Sequence, residues 1–183
     1  MKRAFFTQRA QGGKGVDARR NARGFTLFEI TVVVLIIGIA AAALLATVGG
    51  DLRSARLATA ANILASDIEF CQGECINRPD APRQITFDVT NNKYSVQDKT
   101  TSLVVTHPAD GMAFTNDFAT GRNSQLAGVT VTSVLMGGSV LNVLTFDSYG
   151  KPTITADYVV TLTYNGSTMR VTVKQGTGDV SIQ

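Results

Sequence analysis

The chain has 183 residues, a formal net charge of +3 and a sequence pI near 9.0. The charge is uneven: Met1–Gly24 holds seven basic side chains against a single acid, Asp17, a net of +6, so the residues from Phe25 onward carry −3. Nucleic-acid binding inferred from global basicity therefore loses its support, because the excess belongs to one terminal segment.

Residues 1–24 contain no apolar core, are rich in Gly, Arg and Gln, and read as a disordered basic leader. Initiation at Val16 through a GTG codon would shorten that leader to nine residues, Val16–Gly24. From Ile30 to Gly50 the sequence has no charge and consists mostly of Val, Ile, Leu and Ala. At about 1.5 Å per residue such a run is long enough to cross a bilayer core of roughly 30 Å, and a soluble helix is rarely apolar all round for so long. A membrane helix is expected. Two features set it apart from an ordinary signal anchor. Glu29 opens the run, where a carboxylate at bilayer depth costs on the order of 2.5–3.5 kcal/mol and is retained when something pairs with it. The small residue Gly24 offers a cleavage position before the apolar run, whereas secretory signals are cut after it.

Gly24-Phe25-Thr26-Leu27-Phe28-Glu29, between a basic flank and a long apolar run, resembles the class III signal of type IV pilins and type II secretion pseudopilins. Phe28 is bulkier than the aliphatic residue usual at its position. The resemblance implies cleavage by prepilin peptidase between Gly24 and Phe25, and N-methylation of the new amino terminus, Phe25. It also implies that Glu29 pairs with the terminal amine of a neighbouring subunit during assembly. The chemistry agrees, since a buried carboxylate wants a cation and an α-amine with a pKa of about 7.7–8.0 supplies one.

After Gly49-Gly50, where a helix can bend, the pattern becomes amphipathic. Leu57, Ala61, Leu64, Ile68, Cys71 and Cys75 follow at spacings of four and three and share one helical face. Arg53, Arg56, Asn62, Glu69, Gln72 and Arg78 lie mostly off it, and Pro79 ends the helix. Cys71 and Cys75 read as small core residues. A strained bridge or a redox role is the alternative, the bridge opposed by the distance between successive helical turns. Phe70-Cys-Gln-Gly-Glu-Cys-Ile-Asn-Arg78 resembles a segment common in the GspH/FimT branch of pseudopilins, with cysteine where that branch tends to have alanine.

From Arg83 the period changes to two. Ile85, Phe87 and Val89 alternate with polar residues, and Asn91-Asn92-Lys93 turns the chain into Tyr94–Val96. A second apolar strand is expected over Leu103–Thr106, then a loop-rich surface region over 107–128. A hairpin follows from Val129–Leu135 and Val140–Phe146 about Met136-Gly137-Gly138-Ser139. Asp147-Ser-Tyr-Gly150 is another turn. Asn165-Gly166 between Tyr158–Tyr164 and Thr168–Lys174 is the strongest short hairpin signal, and it explains the glycosylation-like Asn165-Gly-Ser167. Val180–Ile182 closes the chain. Leu144-Thr-Phe-Asp-Ser-Tyr-Gly150-Lys-Pro and Gly178-Asp-Val-Ser-Ile182 also resemble the GspH/FimT domain. Some members of that branch are associated with DNA uptake through basic residues near the C-terminal Gly-x-Val. Asp179 stands after Gly178 here, so nucleic acid is not an expected partner.

Catalysis has little support. His107, the one histidine, is followed by a proline in a loop, and Asp88 and Asp147 sit where Asx turns are commonplace. No glycine-rich phosphate loop or metal-ligand cluster appears, so no enzyme, cofactor or metal is expected. The fold class expected is α+β: a long N-terminal helix packed on an antiparallel β-sheet head, pilin-like. Its parts are a leader (1–24), a transmembrane half-helix (25–50), an amphipathic half-helix (51–78) and a β-rich head (79–183). The expected function is a minor pseudopilin of a type II secretion or type IV pilus machine, in the inner membrane with a periplasmic head. Its partners would be prepilin peptidase, other pilin-type subunits, the inner membrane and exported cargo. The alternatives are a major type IV pilin and a signal-anchored periplasmic binding domain.

Overall fold

The computed structural model describes residues 25–183 and, over 44–51, the backbone alone. The chain divides into two compact units, Met1–Ala43 and Leu44–Gln183, and helix α1 (Leu27–Asn77) contributes residues to both.

In the first unit, α1 starts where Thr26 caps it: the Thr26 Oγ1 accepts the amide of Glu29 at 3.2 Å. This satisfies one of the amides that a helix start leaves without a partner. From Phe25 to Ala43 every side chain is exposed except the half-buried Val32. Among the described residues, no helix is long and apolar enough to cross a membrane. The expected span, Ile30–Gly50, runs into residues 44–50, outside the described side chains.

In the second unit the rest of α1 packs on two antiparallel sheets. The first sheet has the order β3-β2-β1-β6, formed by β1 (Arg83–Asp88), β2 (Lys93–Asp98), β3 (Thr115–Asp117) and β6 (Val143–Thr145). The second has the order β5-β4-β7-β8-β9. It is formed by β4 (Thr130–Met136), β5 (Ser139–Val140), β7 (Tyr158–Tyr164), β8 (Ser167–Val173) and β9 (Val180–Ile182). All six residues expected on the inner face of α1, from Leu57 to Cys75, are fully buried. They share one core with Ile85, Phe87, Tyr94 and Val96 of the first sheet and with Val160, Leu162, Val171 and Val173 of the second.

Register follows from alternation. Ile85 lies opposite Val96 and Phe87 opposite Tyr94, so that inward residues meet inward residues. In β4 the inward pair Val131 and Val134 are three apart, a spacing that sends side chains to opposite faces in a regular strand. A bulge between Val131 and Ser133 absorbs the extra residue and lets both face the core. The β7–β8 hairpin turns on Asn165 (φ 46°) and Gly166 (φ 83°), the two successive positive values of a type I′ turn.

Three sequence expectations need correction. Leu103–Thr106 is not a strand: only isolated bridges form, Val104 to Gln97 and Thr106 to Ala113. Val140–Phe146 is not one strand either. Its first residue closes the short hairpin with β4, after which the chain crosses to the other sheet and pairs with β1 as β6. Residues 107–128 are more than a surface loop, since they supply β3, a 3₁₀ helix (Gly121–Leu126) and the buried Phe114, Phe118 and Leu126.

Candidate functional site

Two of the expected processing and assembly residues, Phe25 and Glu29, fall at or just before the start of α1. Gly24 lies outside the described residues. Phe25 precedes the helix and is 77% exposed. Glu29 stands in the first turn, where a negative charge is favoured by the helix dipole. Thr26 and Glu29 have the spacing of a capping box, which gives the carboxylate a local use as well. Among the described residues, however, no hydrogen bond or ion pair engages that carboxylate, and only the Glu29 amide is held by Thr26. Around it Leu27, Phe28, Ile30, Val34 and Ile37 are all exposed. Each such side chain gains about 1.5–3 kcal/mol when buried, so a surface this apolar on every side calls for lipid or other helices around it.

The motifs of the head converge on one side chain of α1. Gln72 Nε2 donates to the Gly178 carbonyl at 2.8 Å and to the Gly150 carbonyl at 3.4 Å. The Asp147–Gly150 turn and the Gly178-Asp-Val segment, far apart in sequence, are thus brought together. Asp147 Oδ1 accepts the amides of Tyr149 and Lys151, which makes it a turn residue. Asp88 does the same for the Asn91 amide. His107 packs edge-on against Phe114, and its Nδ1 accepts the Ala109 amide at 3.1 Å. Burial holds its pKa below the usual value. The hydrogen bond is local, and the geometry is that of a loop support.

Cys71 and Cys75 are free and buried. Interaction with Cys75, together with burial, pushes the Cys71 pKa far up, while Cys75 is lowered to about 7 by its interaction with Cys71. Cys75 Sγ also accepts the Arg83 amide at 3.2 Å, so it ties the end of α1 to the start of β1. These are packing and bridging roles. Among the described residues, no group of three or more His, Cys, Asp or Glu side chains is placed to hold a metal ion.

Sequence reasoning passed over Asp67. It lies three residues after Leu64 and four before Cys71, on the inward stripe, and it is 8% exposed. Tyr94 donates its hydroxyl to Asp67 Oδ2 at 2.6 Å, and Asn116 Nδ2 also donates to that oxygen. Asn123 Nδ2 in turn donates to Asn116 Oδ1 at 3.1 Å. A charge at a core position of an otherwise apolar stripe was the available signal.

Comparison with known proteins agrees with the N-terminal pattern. The family model described as the prokaryotic N-terminal methylation motif matches residues 19–45. The chain thus carries a methylation signal of the type IV pilin kind, which bears out the resemblance read from its first residues. That match does not extend into the head. Among curated proteins, none matches this chain. Among solved structures, the chain is similar to the type IV minor pilin FimU of Pseudomonas aeruginosa strain PAO1. The identity is 16% over 69% of this chain and 87% of that one, with a TM-score of 0.48. At that score the likeness is too slight to build on.

Proposed function

We propose that this chain is a minor pseudopilin subunit, of the GspH/FimT type, in a type II secretion or type IV pilus machine. The observation that carries this reading is the methylation-motif match across residues 19–45. On this reading the run from Ile30 to Gly50 holds the precursor in the inner membrane, with the head in the periplasm. Prepilin peptidase cuts between Gly24 and Phe25 and removes a segment of net charge +6. The Phe25 amine that appears is methylated and remains a cation near neutral pH.

The chemistry of assembly then follows from Glu29. A carboxylate moved among apolar helices loses its hydration, and a cation from a neighbouring subunit offsets that loss only when the two meet in register. On this reading the Phe25 amine of a neighbour is that cation, a role supported by a helix that begins at Leu27, just after Phe25, and exposes apolar side chains. Pairing then fixes how far one helix slides along the next, while apolar burial holds the bundle. The head contributes contacts to neighbouring subunits or cargo, and it has a structural rather than an enzymatic task.

Glu29→Ala tests this directly. Sheared filaments or isolated pseudopili should contain the substituted chain at less than about a tenth of the wild-type level, a loss equivalent to about 1.4 kcal/mol of assembly free energy. Its amount in the membrane fraction should stay unchanged. Normal incorporation of the variant would contradict the proposed role of Glu29.

A further inference from the structure

We propose that the Asp67 carboxylate is a proton-operated latch that holds the segment Ala113–Leu126 against helix α1, tight when the carboxyl is neutral and looser when it is ionised. The geometry is that of a buried acid without a counter-ion. Oδ2 accepts hydrogen bonds from Tyr94 of β2 and Asn116 of β3, and Asn116 Nδ2 also donates to the Tyr94 hydroxyl at 2.9 Å. Asn123 of the 3₁₀ helix completes the chain of contacts. Among the described residues, Asp67 makes no ion pair, and it is the one residue of α1 to which this segment hydrogen-bonds. The other links between segment and helix are apolar, such as the Phe70 and Phe114 rings with centroids 5.3 Å apart.

A proton on Oδ1 would leave Oδ2 free to keep both of its hydrogen bonds while removing the buried charge. Solvent has a path, because a shallow cleft lined by Thr59, Asn62, Ile63 and Ser66 reaches Asp67. Burial raises the Asp67 pKa to about 6, against the lowering effects of Tyr94, Arg122 and Asn116. The groups that face it from each packed element are Tyr94 on β2, Asn116 on β3, and Arg122 and Asn123 on the 3₁₀ helix. Arg122 is held by Asp110, with Nη2 at 2.6 Å from Oδ2, and acts on Asp67 only through its field, without an ion pair. His107, at 3.8 Å from Asp110, is the nearby group with an overlapping titration range.

Hydrogen exchange measured by mass spectrometry on the full chain in detergent micelles, corrected for intrinsic exchange rates, reads the latch. Opening of the segment releases Asp67 to its ordinary value of 3.8. Protection over Ala113–Leu126 should therefore fall by about tenfold as pH rises from about 5 to about 7.5. In Asp67→Asn the slope should vanish while His107 stays in place. In Tyr94→Phe, which removes a bond to the charged form, the midpoint should move to higher pH. Flat protection in the wild type overturns the proposal. So does a slope that survives in Asp67→Asn, which would assign it to His107. Should Asp67→Asn fail to fold, an unmoved midpoint in Tyr94→Phe would overturn it equally.

Discussion

Gly178 shows how much of the head rests on single positions. It is buried at φ +81°, and a Cβ there would lie 2.6 Å from Gln72 Nε2 and 3.0 Å from Pro152 Cδ. The backbone conformation costs an L-residue about 1–2 kcal/mol, and displacing Gln72 costs the bonds that gather the two turns. Gly178→Ala should therefore lower unfolding stability by about 2–4 kcal/mol, read from the denaturant midpoint at constant m. Asp67 acts in the opposite sense at neutral pH. Its native pKa of about 6 lies above its ordinary value of 3.8, so the native state binds the proton more tightly. The stability this contributes is complete below about pH 4 and is lost as pH rises through about 6. Asp67→Asn, which keeps an acceptor for Tyr94, should be more stable than wild type at pH 7, by at most about 3 kcal/mol. The two should converge toward pH 4. Urea titrations at several pH values measure both, and a wild type more stable than the variant at pH 7 would contradict the assignment.

At the scale of elements, legibility tracked local signals. The α1 face from Leu57 to Cys75 was visible because helical spacing alone fixes it, and the β7–β8 hairpin because Asn165-Gly166 demands two positive φ values. Gly166→Ala should cost about 1 kcal/mol and leave the strands paired, which a thermal melt with far-ultraviolet dichroism would check. What stayed hidden was set by tertiary partners. Val140–Phe146 is apolar enough to read as one strand, yet the chain changes sheets inside it, where Leu144 pairs with Ile85 of β1. Val131 and Val134 break the period of two, and only the bulge opposite β7 reconciles them. Residues 107–128 look like a loop in sequence because the alternation of Phe114, Asn116 and Phe118 is short and places a polar residue inward, and the buried Asn123 and Leu126 do not continue it. Asp67 was passed over because a lone acid on a helix reads as solvated until β2 and β3 are seen to cover it.

At the scale of the whole molecule, one chain combines two kinds of surface. The described residues of its first unit, Phe25–Ala43, expose apolar side chains almost everywhere, and its second buries a single continuous core beneath two sheets. The first kind is stable only in lipid or among like helices, and the second stands in water. The methylation signal was legible at the N-terminus because Gly24, Phe25, Glu29 and the apolar run are a local pattern. The head gave less, since a binding surface is encoded by no short motif. The central claim is that the chain is processed and assembled as a pilin-type subunit, and it depends first on a single covalent event. The mass of the N-terminal peptide from the membrane fraction of cells with active prepilin peptidase reads that event. A peptide that begins with methylated Phe25 is the predicted result. A chain that still carries Arg23-Gly24 ahead of Phe25 would contradict the account and leave a signal-anchored periplasmic domain in its place.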